Sequence, residues 1–101
     1  MSTQTRLSIP EDLTIYHALE HKARLMDALD AADGLELDLS QVREIDTAGL
    51  QLLILTKREA AQRNKSLAII AHSPAVRETL DFCHLMTFFG DPVVITAREQ
   101  A

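Results

Sequence analysis

Tryptophan is absent from this 101-residue chain, and aromatic residues of every kind make up only 4% of it. Whatever core it builds must come from aliphatic side chains packed in small increments, without large rings to fill space. A single cysteine, Cys83, excludes an internal disulfide and suits a reducing compartment. The three glycines, at 34, 49 and 90, stand too far apart for a phosphate-cradling loop. No uninterrupted apolar run approaches the roughly 20 residues needed to cross a bilayer. The opening MSTQTRLSI also lacks the apolar segment of a secretion signal. Positive charge is scarce: ten Lys and Arg face fifteen Asp and Glu, for a net charge of −5. The cations at Arg6, Lys22, Arg24, Lys57, Arg58, Arg63 and Lys65 are dispersed, which argues against nucleic acid as a partner. The expectation is a cytoplasmic protein without direct membrane insertion.

What remains is an ordinary globular balance, 47% apolar and 25% charged. The length suits one domain spanning residues 1–101. Residues 5 to 9, TRLSI, alternate like a short strand until Pro10 interrupts them. From Thr14 the spacing becomes helical, with Ile15, Ala18, Leu19, Leu25, Met26 and Leu29 as its apolar stripe and Gly34 as its stop. LELDL, residues 35 to 39, reads as a strand with one buried face. Residues 47 to 63 read as a second helix, and SLAIIA, 66 to 71, as a strand buried on both faces. Ser73 and Pro74 fit the cap and first position of a third helix running to about Cys83. PVVIT, 92 to 96, reads as a last strand after a turn at Gly90 and Asp91. Alternating strands and helices select an α/β domain with a parallel or mixed sheet.

The stretch EIDTAGLQLLI, residues 44 to 54, sets an acid, a hydroxyl, an alanine and a glycine at the mouth of the second helix. Its simplest role is a cap, with an oxygen of Asp46 or Thr47 taking an orphan backbone N–H. Gly49 then marks a close approach of the helix to its neighbours. A second role is compatible with the first. A hydroxyl at the positive end of a helix dipole is a place where a phosphate is tolerated. Its charge would repel an acidic or apolar partner without disturbing the fold. A nucleophile elbow is the weakest reading, because its glycine-x-serine-x-glycine pattern is absent.

On the second helix, Leu50, Leu53, Ile54, Ala60 and Ala61 read as the buried stripe. Gln51, Leu55, Arg58 and Gln62 then occupy the opposite face, with Leu52 at its edge. A hydroxyl followed by outward aliphatics suits protein docking.

LDLSQVREIDTAGLQLLI, residues 37 to 54, resembles the core motif of the STAS family, the domain of bacterial anti-sigma factor antagonists. IIAHSPAVRETLDFCHL, 69 to 85, resembles that family's following strand, loop and helix. The resemblance implies a small mixed β-sheet with helices packed mainly on one face, no cofactor and no enzymatic activity. It implies that Thr47 is phosphorylated by a GHKL-type kinase that is itself an anti-sigma factor, and is reset by a phosphatase. Asp46, Thr47, Ala48, Gln51, Leu55, Arg58 and Ser73 become the expected partner-binding residues. Thr47 stands where founding members have serine, and Ala48 where they have a second hydroxyl. Asp-Thr-small-Gly-Leu is also similar to the STAS subunit of the ABC transporter that maintains lipid asymmetry, where the threonine helps dock an ATPase. STAS proteins of chemotaxis and biofilm signalling are a further resemblance.

Two other patterns carry less. HALEH, His17 to His21, matches a zinc-peptidase spacing, but with no third ligand in sight it reads as a solvated polar face. Cys83, within LDFCHL, reads as a core residue, and LMTFF, 85 to 89, as packed against the sheet.

Overall fold

The computed structural model describes residues 4–89. Three strands and three helices alternate: β1 (Gln4–Ser8), α1 (Ala18–Ala31), β2 (Gly34–Leu39), α2 (Thr47–Gln62), β3 (Ser66–His72) and α3 (Pro74–Phe82). This is the expected α/β architecture. The described strands lie in the order β1-β2-β3, and both pairings are parallel. Each parallel step needs a right-handed crossover. Two such steps in the same direction place α1 and α2 on the same face of the sheet. The strand and turn expected at 90–96 lie outside the described residues.

That face carries the core. Leu35, Leu37 and Leu39 of β2 are at most 1% exposed and are joined by Leu67 and Ile69 of β3. From the helices come Leu25, Leu29, Leu53 and Ala60, and α3 adds Val76 and Leu80. Phe89 closes the cluster, with Leu85, Met86 and Phe88 packed at its margin, as the 85 to 89 segment was expected to do. On the other face Arg6 pairs with Glu36 across β1 and β2, their side chains 3.3 Å apart. At the far end of the helices Arg63 bonds both Glu59 and Asp30, which raises its pKa. The Lys65 ammonium donates to the Leu29 carbonyl.

Several local expectations are corrected. β3 is not buried on both faces: only Leu67 and Ile69 are sealed, and Ile70 is 41% exposed. The pairing passes from Leu37↔Ile69 directly to Asp38↔Ala71, so Ile70 is the extra residue of a β-bulge. Gly34 does not stop α1. The helix ends at Ala32 in extended backbone, and Gly34 opens β2. The left-handed positions belong to Asn64 after α2 and His84 after α3.

The apolar stripe of α1 is shifted as well. Its buried residues are His21, Leu25 and Leu29, whereas Ile15 and Leu19 are exposed. Leu52 is buried in α2 and not at an open edge, while Ala61 is exposed. Thr56 is fully buried because its hydroxyl donates to the Leu52 carbonyl one turn earlier. Cys83 is exposed and not a core residue, because it falls at the C-cap of α3.

Leu37→Ala should destabilise the domain by about 2–5 kcal/mol, because it opens a cavity between sheet and helices. Ile70→Ala, on the open side of the bulge, should cost less than about 1 kcal/mol. Denaturant titration of the two variants checks the contrast.

Candidate functional site

The loop leaving β2 is shaped by its own side chains. Asp38 accepts from both the backbone N–H and the hydroxyl of Ser40, at 2.9 and 2.6 Å. These two bonds, the hydroxyl's first, hold its pKa below the usual carboxylate value. Val42 is fully buried and anchors the middle of the loop. Beyond it, Asp12 reaches across from the segment after β1. Its Oδ1 accepts from the N–H groups of Arg43 and Glu44, at 3.0 and 3.1 Å.

Leu13 then lies alongside Ile45 in an isolated parallel bridge. Its N–H donates to the Glu44 carbonyl at 2.9 Å, and its own carbonyl accepts from Asp46 N–H at 3.1 Å. Asp46 is the N-cap of α2. One carboxylate oxygen accepts from Gly49 N–H and the other from Ile15 N–H, each at 3.0 Å. These donors, Gly49 first, depress its pKa. With both oxygens occupied by backbone, this acid serves as a clamp between two segments. Gly49 makes the clamp possible: a Cβ there would lie 1.9 Å from the Leu13 carbonyl oxygen.

Thr47 is the first residue of α2 and is exposed, so its hydroxyl stands at the positive end of the helix. Ala48 behind it is half-buried. Gln51 and Arg58 are exposed and Leu55 is 42% exposed, all on the outer side of the helix. Ser73 is different. It is 5% exposed, and its hydroxyl accepts from Val76 N–H to cap α3. It therefore shapes the neighbouring loop and does not present its side chain to a partner, which corrects its place among the partner-facing residues. An open groove of about 580 Å³ runs between that loop and Ser40–Arg43. Among the described residues no cluster of His, Cys, Asp or Glu could hold a metal ion. No helix of the described residues is long and apolar enough to cross a membrane.

The structure adds residues that the sequence reading assigned elsewhere or passed over. Ile15, Tyr16 and Leu19 are 62%, 88% and 83% exposed. Ile15 touches the site directly through its bond to Asp46. Leu19 shares a stripe of α1 with Met26 and Asp30, and Asp30 is bridged to Arg63 beyond α2. Leu19 therefore lies on the edge of α1 turned toward α2. On α2, Leu55 shares a stripe with Ala48, Leu52 and Glu59, and Glu59 pairs with the same Arg63. The two exposed leucines thus lie on neighbouring, packed helices. The missed signal was the alternative stripe His21–Leu25–Leu29–Ala32, which is continuous once histidine is admitted as a buried residue.

Asp46 should contribute to pH-dependent stability with a definite sign. Because its pKa is lowered in the folded state, its contribution is present above the ordinary aspartate value and lost as pH falls through the lowered one. Melting temperatures of wild type and Asp46→Asn should therefore differ most near neutrality and converge in acid. A constant difference across pH would contradict this account.

The chain matches the family model described as Mlab, STAS domain, over residues 2–89. No curated protein sequence matches it. Among solved structures, it is similar to the anti-sigma factor antagonist SpoIIAA in its unphosphorylated form. The TM-score is 0.71 at 15% identity, covering 98% of this chain and 91% of that one. SpoIIAA in its phosphorylated form, described as a Bacillus cell fate determinant, gives 0.68 at 16%, covering 99% and 92%. A sulfate transporter family protein from Wolinella succinogenes gives 0.65 at 16%, covering 86% and 71%. Strand order, the capped entry to α2 and the family match over nearly the whole chain lead to one assignment: this chain belongs to the STAS domain family.

Proposed function

We propose that this chain is a non-enzymatic docking module, an anti-sigma factor antagonist whose grip on a protein partner is governed by phosphorylation of Thr47. One observation carries the reading: an exposed hydroxyl at the tip of α2, beside a carboxylate already committed to holding that tip in place. A phosphate added there meets the positive end of the helix and leaves the fold undisturbed. It also places about two negative charges on the surface that carries the exposed Ile15, Tyr16, Leu19 and Leu55. Burying that apolar strip against a partner then becomes unfavourable. Asp46 fixes the geometry a kinase reads, and Gln51 and Arg58 supply polar contacts beside the aliphatic ones. The partner in this reading is a GHKL-type anti-sigma kinase, opposed by a phosphatase, in the cytoplasm.

The family description favours a second reading, because the model that matches is the Mlab STAS domain. There the same face is the permanent seat of an ABC-transporter ATPase, and Thr47 contributes a contact without being modified.

Partner recovery from native cells, followed by calorimetry with the purified partner, separates the two. Thr47→Glu should fold normally and bind at least about tenfold more weakly, while Thr47→Ala stays bound. Equal affinities for the two variants would remove the switch. Leu19→Ala and Leu55→Ala should each cost less than about 1 kcal/mol in stability yet about 1 kcal/mol or more in binding.

A further inference from the structure

One polar group in the core is not used by the docking reading. His21 of α1 is 1% exposed, so it is not part of a solvated polar face. Its neighbour in the same sequence pattern, His17, sits 5.9 Å away ring to ring and leans toward Glu20. His21 Nε2 lies 3.1 Å from the Asp12 carbonyl oxygen. Nδ1 is the only buried side-chain nitrogen or oxygen among the described residues without a hydrogen-bond partner. A carbonyl only accepts, so Nε2 must carry a proton. The next two turns of the stripe use leucine. An imidazole at this position buries one unmatched polar atom in order to make one bond.

That bond falls on the residue from which the site is assembled. Asp12 holds Arg43 and Glu44 through its carboxylate. Leu13, next in the chain, pairs with the 44–46 backbone and occupies the space that Gly49 leaves open. Ile15 N–H then closes onto Asp46. The Nε2–H bond to the Asp12 carbonyl ties α1 to the start of this series.

We propose that His21 is a positioning residue for the face around Thr47, acting through the Nε2–H bond that seats the Asp12–Ile15 segment. Its effect on a partner rests on the docking reading; its effect on the loops does not.

Hydrogen exchange on the free protein therefore comes first. His21→Phe keeps a ring of similar size and removes the donor, whereas His21→Gln keeps an N–H at a comparable reach. In His21→Phe the amides of Arg43, Glu44, Ile15 and Gly49 should exchange about tenfold faster relative to those of β2, with His21→Gln restoring them. Partner affinity should fall and recover in the same order. Uniform acceleration that includes β2, or unchanged loop amides, would each overturn the proposal, whereas loosened loops with intact affinity would overturn the docking reading. If the phenylalanine variant does not fold, the wild-type imidazole and His21→Gln decide. An Nε2-protonated tautomer in nitrogen spectra together with wild-type loop protection in the glutamine variant supports the proposal. An Nδ1-protonated ring or lost protection refutes it.

Discussion

Two carboxylates that hold backbone, not cations, organise this end of the molecule. Asp12 gathers Arg43 and Glu44, and Asp46 gathers Gly49 and Ile15, so each acid stitches a segment it does not belong to. Charge-assisted bonds to backbone N–H groups are among the stronger hydrogen bonds available to a protein. Here they hold two loops that no regular ladder reaches beyond the single Leu13–Ile45 bridge. The stitching closes only because residue 49 has no side chain to collide with the Leu13 carbonyl. A site made of loops is thereby given the fixity of secondary structure.

That fixity bears on the proposed role. A reader of chemical state needs its reactive group displayed while everything beneath it stays still. Thr47 occupies the first helical position, beside the capping Asp46, so in the proposed role a change at its hydroxyl would be passed outward to a partner and not inward to the core. The exposed apolar residues of the proposed surface come from two helices and the turn before the first: Ile15 and Tyr16 from that turn, Leu19 from α1 and Leu55 from α2. The two proposed readings, a switched antagonist and a permanent adaptor, assign the same surface and differ in whether the hydroxyl is modified.

Much of this was legible in the sequence. A cap at Asp46 or Thr47, Gly49 as a close approach, Ser73-Pro74 as a helix start and Leu55 as an outward aliphatic follow from local chemistry, which acts between near neighbours in the chain. Long-range demands were harder to read. Ile15 and Leu19 looked like core residues because they continue a helical period. The period breaks because Ile15 N–H is taken by Asp46, thirty-one residues away in the chain. Asp12 looked like a mere interruption for the same reason. His21 looked solvated because its partner is a backbone carbonyl, which no side-chain pattern announces. The apparent two-faced burial of β3 failed on a count of one: periodicity within a strand cannot reveal that its neighbour skips a residue.

That skipped residue has a directional effect. Side chains alternate along a strand, so inserting one position reverses which side every later residue faces. With Ile70 set aside, Ala71 comes opposite Asp38 and His72 opposite Leu39, and Ser73 N–H reaches the Leu39 carbonyl. The chain thus leaves the sheet bonded to the end of β2, and the buried Ser73 hydroxyl begins α3 from there.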